Sequence, residues 1–305
     1  MLTLDLHLVD FFLHRLTIYR KRRTLKPHRF KIWKAQYEFD IFLGESSKTV
    51  FNFVNGVQMM LYKDNKLSFE IFHGFELDEI DFVNRFLKQG DTFVDVGTNV
   101  GLFSLHASAI VGERGKVISF EPSSATVHRL QENIALNGCI NIEIVPKGLS
   151  FEPGVLELVV AGNGYDAFNS FAVPSMGAIT AREKVEVTTV DSFMTLKGIA
   201  PKDVKLIKID VEGWELHVLK GGETFFGHVD APVLLVEFTE TNAKNAGTSC
   251  IELGLLLQKL GYTLYVYDSK LKKLTDEPFG KTYDYKNLIA SKNNREGLSD
   301  FMQKS

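Results

Sequence analysis

The chain has few of the residues that define cross-linked, fibrous or membrane-spanning proteins. Its 305 residues include two cysteines, Cys139 and Cys250, and eight prolines. Two cysteines in a chain this long indicate a reducing compartment and argue against a disulfide framework or a metal–thiolate centre. No apolar run approaches the ~20 residues that a membrane-spanning helix needs. With 45% hydrophobic and 24% charged residues, the composition is that of a folded protein.

Net charge is small, and its distribution is uneven. The overall charge of −3 gives no reason to expect a nucleic-acid partner. Residues 1–34, however, hold nine Lys/Arg and two acids, so this segment carries +7 and the remainder −10. Its helical pattern predicts a wide apolar face, followed at once by Arg20-Lys21-Arg22-Arg23. This combination is typical of a helix that lies in the interface of an anionic membrane.

Two interpretations of residues 1–34 stay open at this point. The basic amphipathic helix either contacts a membrane surface or packs on its own body or on a second subunit of a homodimer. A secretory signal is excluded because the charge follows the apolar stretch and no small-residue cleavage site appears. We expect a cytoplasmic protein, peripheral to the inner membrane face if the first interpretation holds.

The remaining chain divides into three segments by its patterns. Residues 35–88 predict a β-rich subdomain, because Asn55-Gly56 and Lys63-Asp64-Asn65 separate apolar, strand-like segments as hairpin turns do. A helix is expected over residues 76–87. Residues 89–291 alternate strand and helix patterns, which predicts a Rossmann-like, mostly parallel α/β sheet with helices on both faces. Residues 292–305 read as a polar tail.

The strongest local signal is the turn Asp95-Val96-Gly97-Thr98-Asn99-Val100-Gly101, which leaves a predicted strand and enters a helix. Ligands of open α/β sheets bind beyond the carboxyl ends of strands, where this turn lies. Glu121 follows at the end of the next strand, where a carboxylate can accept hydrogen bonds from a ribose diol. The predicted cofactor-binding residues are Asp95, Gly97, Thr98, Asn99, Gly101 and Glu121.

The same turn discriminates between adenosine-containing cofactors. A dinucleotide needs the three glycines of Gly-x-Gly-x-x-Gly around its pyrophosphate, and this turn is one glycine short. Asp95 would also repel a pyrophosphate but would attract the ammonium of a methionine tail. The electrostatics therefore favour S-adenosylmethionine over NAD.

A second acidic motif, Ile209-Asp210-Val211-Glu212-Gly213, also follows a predicted strand. Asp210 and Glu212 are candidates to orient or deprotonate a substrate hydroxyl, with Glu237 at the end of another strand as a further candidate. The competing interpretation is that Glu212 caps the next helix. Asp210 with Glu237 would suit Mg²⁺, but no third acid stands at an obvious spacing, so no metal site is predicted.

These motifs together resemble those of the FkbM-type methyltransferases. The matching segments are residues 95–101, Glu121-Pro122, Val187-Thr188-Thr189-Val190-Asp191 and residues 209–213. The resemblance covers about residues 76–240 and is weaker from there to Ala290. It implies that the domain 89–291 has a class I, seven-stranded methyltransferase fold, with S-adenosylmethionine as cofactor. It also implies O-methylation of a sugar, glycan, glycolipid or related natural product.

The acceptor is expected to contact the loop 162–180, which the resemblance leaves unassigned. Its hydroxyl, amide and aromatic side chains suit a sugar ring, and Tyr165, Asn169 and Ser170 are the predicted substrate-binding residues; a plain connecting loop is the alternative. Two other functions remain open: an NAD-dependent sugar oxidoreductase or epimerase, and a non-catalytic docking protein of a biosynthetic complex.

Overall fold

The computed structural model describes residues 6–292, 298 and 301, with residues 6–13 described as backbone only. The helices are α1 (Leu6–Thr24), α2 (Pro27–Leu43), α3 (Lys66–Phe72), α4 (Leu77–Phe86), α5 (Leu102–Val111), α6 (Ser124–Asn137), α7 (Val190–Lys197), α8 (Glu215–Lys220), α9 (Glu223–Gly227), α10 (Glu240–Asn245) and α11 (Cys250–Lys259). The strands are β1 (Lys48–Asn52), β2 (Gln58–Tyr62), β3 (Thr92–Val96), β4 (Lys116–Phe120), β5 (Ile142–Val145), β6 (Gly148–Leu149), β7 (Gly154–Ala161), β8 (Ile179–Thr188), β9 (Leu206–Ile209), β10 (Val233–Phe238), β11 (Thr263–Asp268), β12 (Lys273–Glu277) and β13 (Lys286–Ser291).

The central sheet has the order β12-β11-β13-β10-β9-β3-β4-β5. Strands β10, β9, β3, β4 and β5 are parallel, whereas β13 is antiparallel to both β10 and β11. The α/β class and the mostly parallel sheet are thereby confirmed. The sheet has eight strands rather than the predicted seven, because β12 turns back along β11 and adds an antiparallel edge.

The two faces of the sheet carry separate hydrophobic cores. Every residue of β9 and β10 is buried, as expected for central strands with helices on both sides. Along β3 the side chains alternate, so that Phe93 packs with α4 and α5 while Val94 and Val96 pack with α8 and α9. This alternation fixes which β3 side chains reach each face.

The structure differs from the expected β-rich subdomain over residues 35–88. The Asn55-Gly56 hairpin is present, with Asn52 paired to Gln58, and α4 lies where a helix is expected. The helices α2 and α3 stand in place of further strands. The helix α3 begins where the Asn65 side chain accepts the Ser68 N–H at 2.7 Å. That side-chain cap favours a helix over the predicted third strand.

The basic N-terminal segment is helical, but its boundary differs from expectation. A break between α1 and α2 lies at residues 25–26, and α2 continues past residue 34 to Leu43. His14 stacks on Tyr37 of α2 at 5.1 Å. Within the described part of the chain, no helix combines the length and hydropathy that crossing a membrane requires. Membrane contact by this segment stays a prediction, and residues 1–5 lie outside the described residues.

The predicted polar tail contributes two residues to the core. Leu298 and Phe301 are buried, and the Phe301 ring lies against Phe82 and Tyr267 at 5.5 and 5.8 Å between centroids. Packing against the aromatic cluster removes apolar surface of these two side chains from water, which stabilises the buried arrangement. The other residues after 292 lie outside the described part of the chain.

Candidate functional site

The turn between β3 and α5 is fixed to its neighbours through its backbone. The N–H groups of Gly97 and Thr98 both donate to the Phe120 carbonyl, at 3.1 and 3.0 Å. Asn99 adopts the left-handed conformation with φ +50°, which asparagine tolerates. The Thr98 hydroxyl donates to the Asp95 carbonyl at 3.0 Å. The predicted cofactor turn is therefore a rigid element.

Gly97 and Gly101 are required by packing against the protein itself. A Cβ on Gly97 would lie 1.8 Å from the Asp210 carbonyl oxygen, and one on Gly101 would lie 2.6 Å from the Leu130 side chain. Both residues also have positive φ, +83° and +96°, where an L side chain is strained. The turn thus lies directly against the acidic motif that follows β9.

Glu121 occupies the predicted position beside this turn. Its two carboxylate oxygens accept the N–H groups of Asn99 at 3.0 Å and Ser123 at 2.9 Å. Burial raises the pKa of Glu121 to about 7 despite these hydrogen bonds. The carboxyl group lines a cleft together with Asn99, Phe120 and Asp210, a position suited to a ribose diol.

Asp95 is buried at the end of β3 and lines a second cleft, together with Glu76, Lys208 and Asp210. Its Oδ2 accepts the Ser104 hydroxyl at 2.7 Å, whereas its Oδ1 is buried without a hydrogen-bond partner. Burial raises the pKa of Asp95, against the opposing effect of Lys208. An unpartnered buried acceptor needs a donor, so Asp95 and Glu121 fit the ammonium and the ribose of S-adenosylmethionine.

A buried lysine, Lys208, organises the acidic side chains. It lies in β9 in register with Asp95, and its ammonium contacts the Asp210 carboxylate at 2.5 Å. Burial lowers the pKa of Lys208, but the carboxylates of Asp210, Glu76 and Asp95 outweigh it and raise the pKa overall. Burial opposes ionisation of Asp210, yet the Lys208 ammonium lowers the pKa of that carboxyl below its usual range. Asp210 is therefore held ionised.

Glu212 and Glu237 have the opposite tendency. Burial and the neighbouring Asp210 charge raise the pKa of both carboxyls well above the usual range. Asn242 donates its amide to Glu212 Oε2 at 2.6 Å, and Thr239 donates its hydroxyl to Glu237 Oε1 at 2.5 Å. Because like charges oppose one another at close range, Glu212 and Glu237 ionise less readily beside the Asp210 carboxylate.

Glu212 does not act as the helix cap that competed with a functional role. Instead, one oxygen of Glu215 accepts the N–H groups of Val211 at 2.9 Å and Gly213 at 3.1 Å. Glu215 also supplies the third carboxylate that no sequence spacing indicates: oxygens of Asp210, Glu215 and Glu237 lie within 4.8 Å of one another. Lys208 already provides a positive charge to this group.

The acidic motif borders the largest of these cavities, of about 600 Å³. Its walls are mostly apolar, with α3, the loop 162–180, α10 and residues 284–285 around the acidic side chains. Glu237 and Asn242 line this cavity and neither of the two clefts described above. Asp210 and Glu212 line all three spaces.

Among the predicted substrate-binding residues, Tyr165 lines the large cavity, whereas Asn169 and Ser170 line the Glu121 cleft. The side chains of Asn169 and Ser170 also hold the loop in place. The side-chain oxygen Oδ1 of Asn169 accepts the Ala161 N–H at 2.9 Å, and the Ser170 hydroxyl donates to the backbone carbonyl of Glu212 at 2.8 Å. Substrate contact by these residues stays a prediction. The loop is also anchored to α6 by the Arg129–Asp166 ion pair at 2.7 Å.

Sequence reasoning missed Lys208, Glu76 and Asn242. Lys208 lies directly before the acidic motif, where a lysine among apolar strand residues was an available signal. Glu76 has φ +49° and Glu212 has φ +53°. Such strained non-glycine residues cluster at functional sites, but only the structure shows them. Tyr285 donates its hydroxyl to Glu76 at 2.6 Å, joining segments more than 200 residues apart.

Comparison with known sequences places the site in a family. The methyltransferase FkbM domain matches residues 95–264, which is more than half of the chain. Methyltransferase sdnD of Sordaria araneosa is 32% identical over 160 residues, covering 44% of this chain and 61% of that protein. Hexuronic acid methyltransferase AglP of Haloferax volcanii is 31% identical over 152 residues, covering 48% and 56%. The chain thus aligns with little more than half the length of these relatives.

Solved structures show more distant similarity. A methyltransferase FkbM from Methylobacillus flagellatus has a TM-score of 0.40 at 15% identity, covering 67% of this chain and 44% of that chain. An S-adenosylmethionine-dependent O-methyltransferase from Thermotoga maritima has a TM-score of 0.39 at 15% identity, covering 84% and 82%. On the match over residues 95–264, the chain belongs to the FkbM family of methyltransferases.

Proposed function

We propose that the protein is an S-adenosylmethionine-dependent O-methyltransferase that acts on a hydroxyl of a sugar, glycan, glycolipid or related natural product. The observation that carries this proposal is the placement of Asp210 and Glu212, which line both cofactor-side clefts and the large cavity. An acceptor hydroxyl in the large cavity and a methyl donor in the clefts would both lie beside these two residues.

On the donor side, the chain provides three complementary groups. Glu121 would accept hydrogen bonds from the ribose hydroxyls, and Asp95 Oδ1 would accept a hydrogen bond from the ammonium of the methionine part. Asn99, held by Glu121, shapes the cleft between them. When bound, S-adenosylmethionine supplies a methyl carbon attached to a sulfonium, and the protein's task is to align the acceptor oxygen with it. Such positioning is worth about 7–11 kcal/mol.

On the acceptor side, Asp210 receives the hydroxyl hydrogen. Because Lys208 keeps it ionised, Asp210 orients an oxygen lone pair toward the methyl carbon and takes the proton as the carbon–oxygen bond forms. Glu237 and Glu212 have raised pKa values and ionise less readily than Asp210. They hydrogen-bond the acceptor rather than compete as bases. General-base catalysis of this kind contributes roughly 10²–10⁴-fold.

The large cavity suits an acceptor with polar edges and an apolar surface. At about 600 Å³, it exceeds the few hundred Å³ at the lower end of small-molecule sites. Tyr165 and Phe168, with ring centroids 5.9 Å apart, provide aromatic surface for the face of a sugar ring. The hexuronic acid named for the relative AglP supports a saccharide acceptor for this chain.

The test is the variant Asp210→Asn. We expect turnover to fall by about 10²–10⁴-fold, while S-adenosylmethionine binding in calorimetry stays within a few-fold. Asp230→Asn, at an exposed position, is the matched control and retains activity. Turnover near the wild-type rate in Asp210→Asn removes Asp210 from the mechanism.

The two other functions considered from sequence make different predictions. An NAD-dependent oxidoreductase requires NADH binding, which the same calorimetry measures. A docking protein would bind S-adenosylmethionine without transferring methyl groups to any acceptor. Family membership and the converging clefts favour the transferase over both.

A further inference from the structure

The helices α1 and α2 form an antiparallel hairpin whose turn is surrounded by cations. His14 contacts Tyr37 at 5.1 Å between ring centroids, and the Lys21 ammonium lies 5.8 Å from the Trp33 ring centroid. Residues 20–31 contain no acid and seven exposed cations, which we call the basic tip: Arg20, Lys21, Arg22, Arg23, Lys26, Arg29 and Lys31. Within the part of the chain that the structure describes, none of the seven forms an ion pair with an acidic side chain.

The basic tip lies at the opposite end of α2 from its attachment to the rest of the protein. Phe39, in the second half of α2, packs against Phe69 and Phe72 of α3, at 5.6 and 5.5 Å between ring centroids. The buried residues of α2, Phe39 and Leu43, both lie in this half. In the first half of α2, residues 27–29, 31 and 32 are exposed. One continuous helix therefore connects the basic tip to the body of the protein.

The outer face of α1 combines apolar side chains with cations. His14 and Lys21 lie on the stripe that contacts α2. At 3.6 residues per turn, the opposite side of the helix carries Leu16, Tyr19, Arg20 and Arg23. Leu16 is 48% and Tyr19 59% exposed, and Ile32, near the tip on α2, is also 59% exposed. Aliphatic and aromatic side chains between cations are what a helix at a membrane interface uses.

An anionic membrane suits this surface better than a nucleic acid or a second copy of the chain. Lipid headgroups supply negative charge, and the acyl boundary beside them takes up aliphatic side chains. The phosphates of a nucleic acid would neutralise the cations but leave Leu16 and Ile32 in water. A second copy would present an acidic body, but exposed acids there already have partners, as Glu186 has in Lys147 at 2.7 Å.

We propose that the basic tip docks the protein on the surface of an anionic phospholipid membrane. Arg20, Arg23 and Arg29 contact the headgroups, and Leu16 and Ile32 enter the adjacent acyl boundary. The chain beyond the basic N-terminal segment carries −10, so the surface repels the body and favours the orientation in which the tip faces the membrane. Docking is independent of the proposed function, because vesicle binding requires no methyl transfer.

Flotation of the full chain with lipid vesicles tests the docking. Vesicles of phosphatidylcholine alone are compared with vesicles that also contain phosphatidylglycerol, each at low and at high salt. We expect the protein to float with the anionic vesicles at low salt and to bind the neutral vesicles at least about tenfold more weakly. High salt should weaken binding to the anionic vesicles at least about tenfold, because it screens exposed charges.

A triple variant assigns the binding to the basic tip. Arg20→Gln/Arg23→Gln/Arg29→Gln should bind anionic vesicles about 100-fold more weakly, since each cation near such a surface strengthens binding about fivefold. The matched control removes three exposed cations elsewhere, with the same change in net charge, and should float like wild type: Lys88→Gln/Arg114→Gln/Lys202→Gln. Circular dichroism shows whether each variant is folded. If the tip variant does not fold, the single variants decide, with an expected loss of about fivefold each.

Two further variants identify what the surface recognises. Arg20→Lys/Arg23→Lys/Arg29→Lys should float like wild type, because headgroups attract the positive charge and do not require the guanidinium fork. Leu16→Ser/Ile32→Ser should weaken vesicle binding about tenfold, through the apolar surface that it leaves out of the membrane. Binding of a nucleic acid would be insensitive to this second change.

Several results would overturn the proposal. These are no flotation with anionic vesicles, equal flotation with neutral vesicles, and equal binding by the tip variant and its matched control. The basic tip instead serves a nucleic acid if the protein binds a labelled oligonucleotide through these arginines and does not bind vesicles. It serves a second copy if light scattering shows a dimer that the tip variant loses while vesicles are not bound. A lack of methyl transfer to every acceptor would contradict the proposed function and leave the docking intact.

Discussion

The two halves of the site differ in how their polar groups are satisfied. On the cofactor side, at the ends of β3 and β4, both oxygens of Glu121 accept backbone N–H groups, and Asp95 accepts the Ser104 hydroxyl at one oxygen while the other has no partner. On the acceptor side, at the ends of β9 and β10, the carboxyls of Asp210, Glu212 and Glu237 lie close together, and Lys208 pairs with Asp210. The first half is organised largely by backbone hydrogen bonds, and the second half by charges shared among side chains.

The two halves meet where Gly97 lies against the backbone of Asp210. No side chain fits between them, since even a Cβ would come within 1.8 Å of the Asp210 carbonyl oxygen. This contact sets the distance between the cofactor turn and the acceptor-side acid. We therefore expect a substitution at this contact to destabilise the whole fold. Substitutions within either half should have smaller and more local effects.

The largest effect is expected from Gly97→Ala. The added carbon collides with backbone at a positive φ, so neither side-chain movement nor relaxation at residue 97 alone relieves it. We expect a loss of unfolding free energy above about 4–5 kcal/mol, the range that marks an exceptional substitution. Urea denaturation followed by circular dichroism measures it.

Gly90→Ala is the matched control for Gly97→Ala. Gly90 has φ +89°, close to the +83° of Gly97, but a Cβ added at Gly90 would meet nothing within 4 Å. Gly90→Ala should lose only the unfolding free energy that a left-handed alanine backbone costs, about 1–2 kcal/mol. Similar losses in the two variants would show that the close contact between the halves has no energetic importance.

The second effect concerns Lys208, which contacts Asp210 and also lines the Asp95 cleft. Lys208→Met removes the ammonium beside Asp210 and leaves crowded carboxylates without a cation, so we expect a loss of about 3–5 kcal/mol in unfolding free energy. Lys259→Met, which breaks an exposed ion pair with Glu223, should cost no more than about 1 kcal/mol.

A double variant separates charge from packing at Lys208. In Lys208→Met/Asp210→Asn, the unpaired charge at residue 210 is gone, and part of the lost stability should return, as double-mutant analysis reveals for coupled pairs. If the double variant is as unstable as the sum of both single variants, Lys208 contributes through packing, for instance against the Phe103 ring at 4.5 Å, and not through its charge.

These two halves are also unequally predictable from the sequence. Asp95, Glu121 and Asp210 can be found because each lies in a short motif at the carboxyl end of a strand, and the carboxyl ends of parallel strands meet at one edge of the sheet. Glu76 and Asn242 come from the start of α4 and from α10 and reach the site through tertiary packing. No local sequence pattern indicates that Glu76 and Asn242 lie close to the other site residues.

Secondary-structure prediction fails where short-range chemistry competes with hydrophobic pattern. The apolar pattern after Asn65 predicts a strand, but the Asn65 cap starts α3, and this helix forms part of the cavity wall. The prediction of a polar tail fails for a similar reason. Composition alone does not show that the Phe301 ring packs against Phe82 and Tyr267. Partners distant in sequence decide such cases.

The smallest predicted effect is the pH dependence of the cofactor side. The pKa of Glu121 is raised to about 7 by burial, while ribose hydroxyls donate to the ionised carboxylate. Affinity for S-adenosylmethionine should therefore rise as pH increases through 7, by up to about tenfold per unit below that value, and level off above it. Calorimetry from about pH 5.5 to 8.5 brackets this pKa, and Glu121→Gln should bind more weakly with a flatter profile.

The same carboxyl has the opposite effect on folding. A carboxyl whose pKa is raised by folding costs nothing at pH values where it is protonated in both states, and its burial destabilises the protein as pH rises from about 4.5 toward 7. Across that window, wild type should therefore lose stability relative to Glu121→Gln, while its cofactor affinity increases. If wild type and Glu121→Gln change in stability equally across this pH window, Glu121 is not the titrating group.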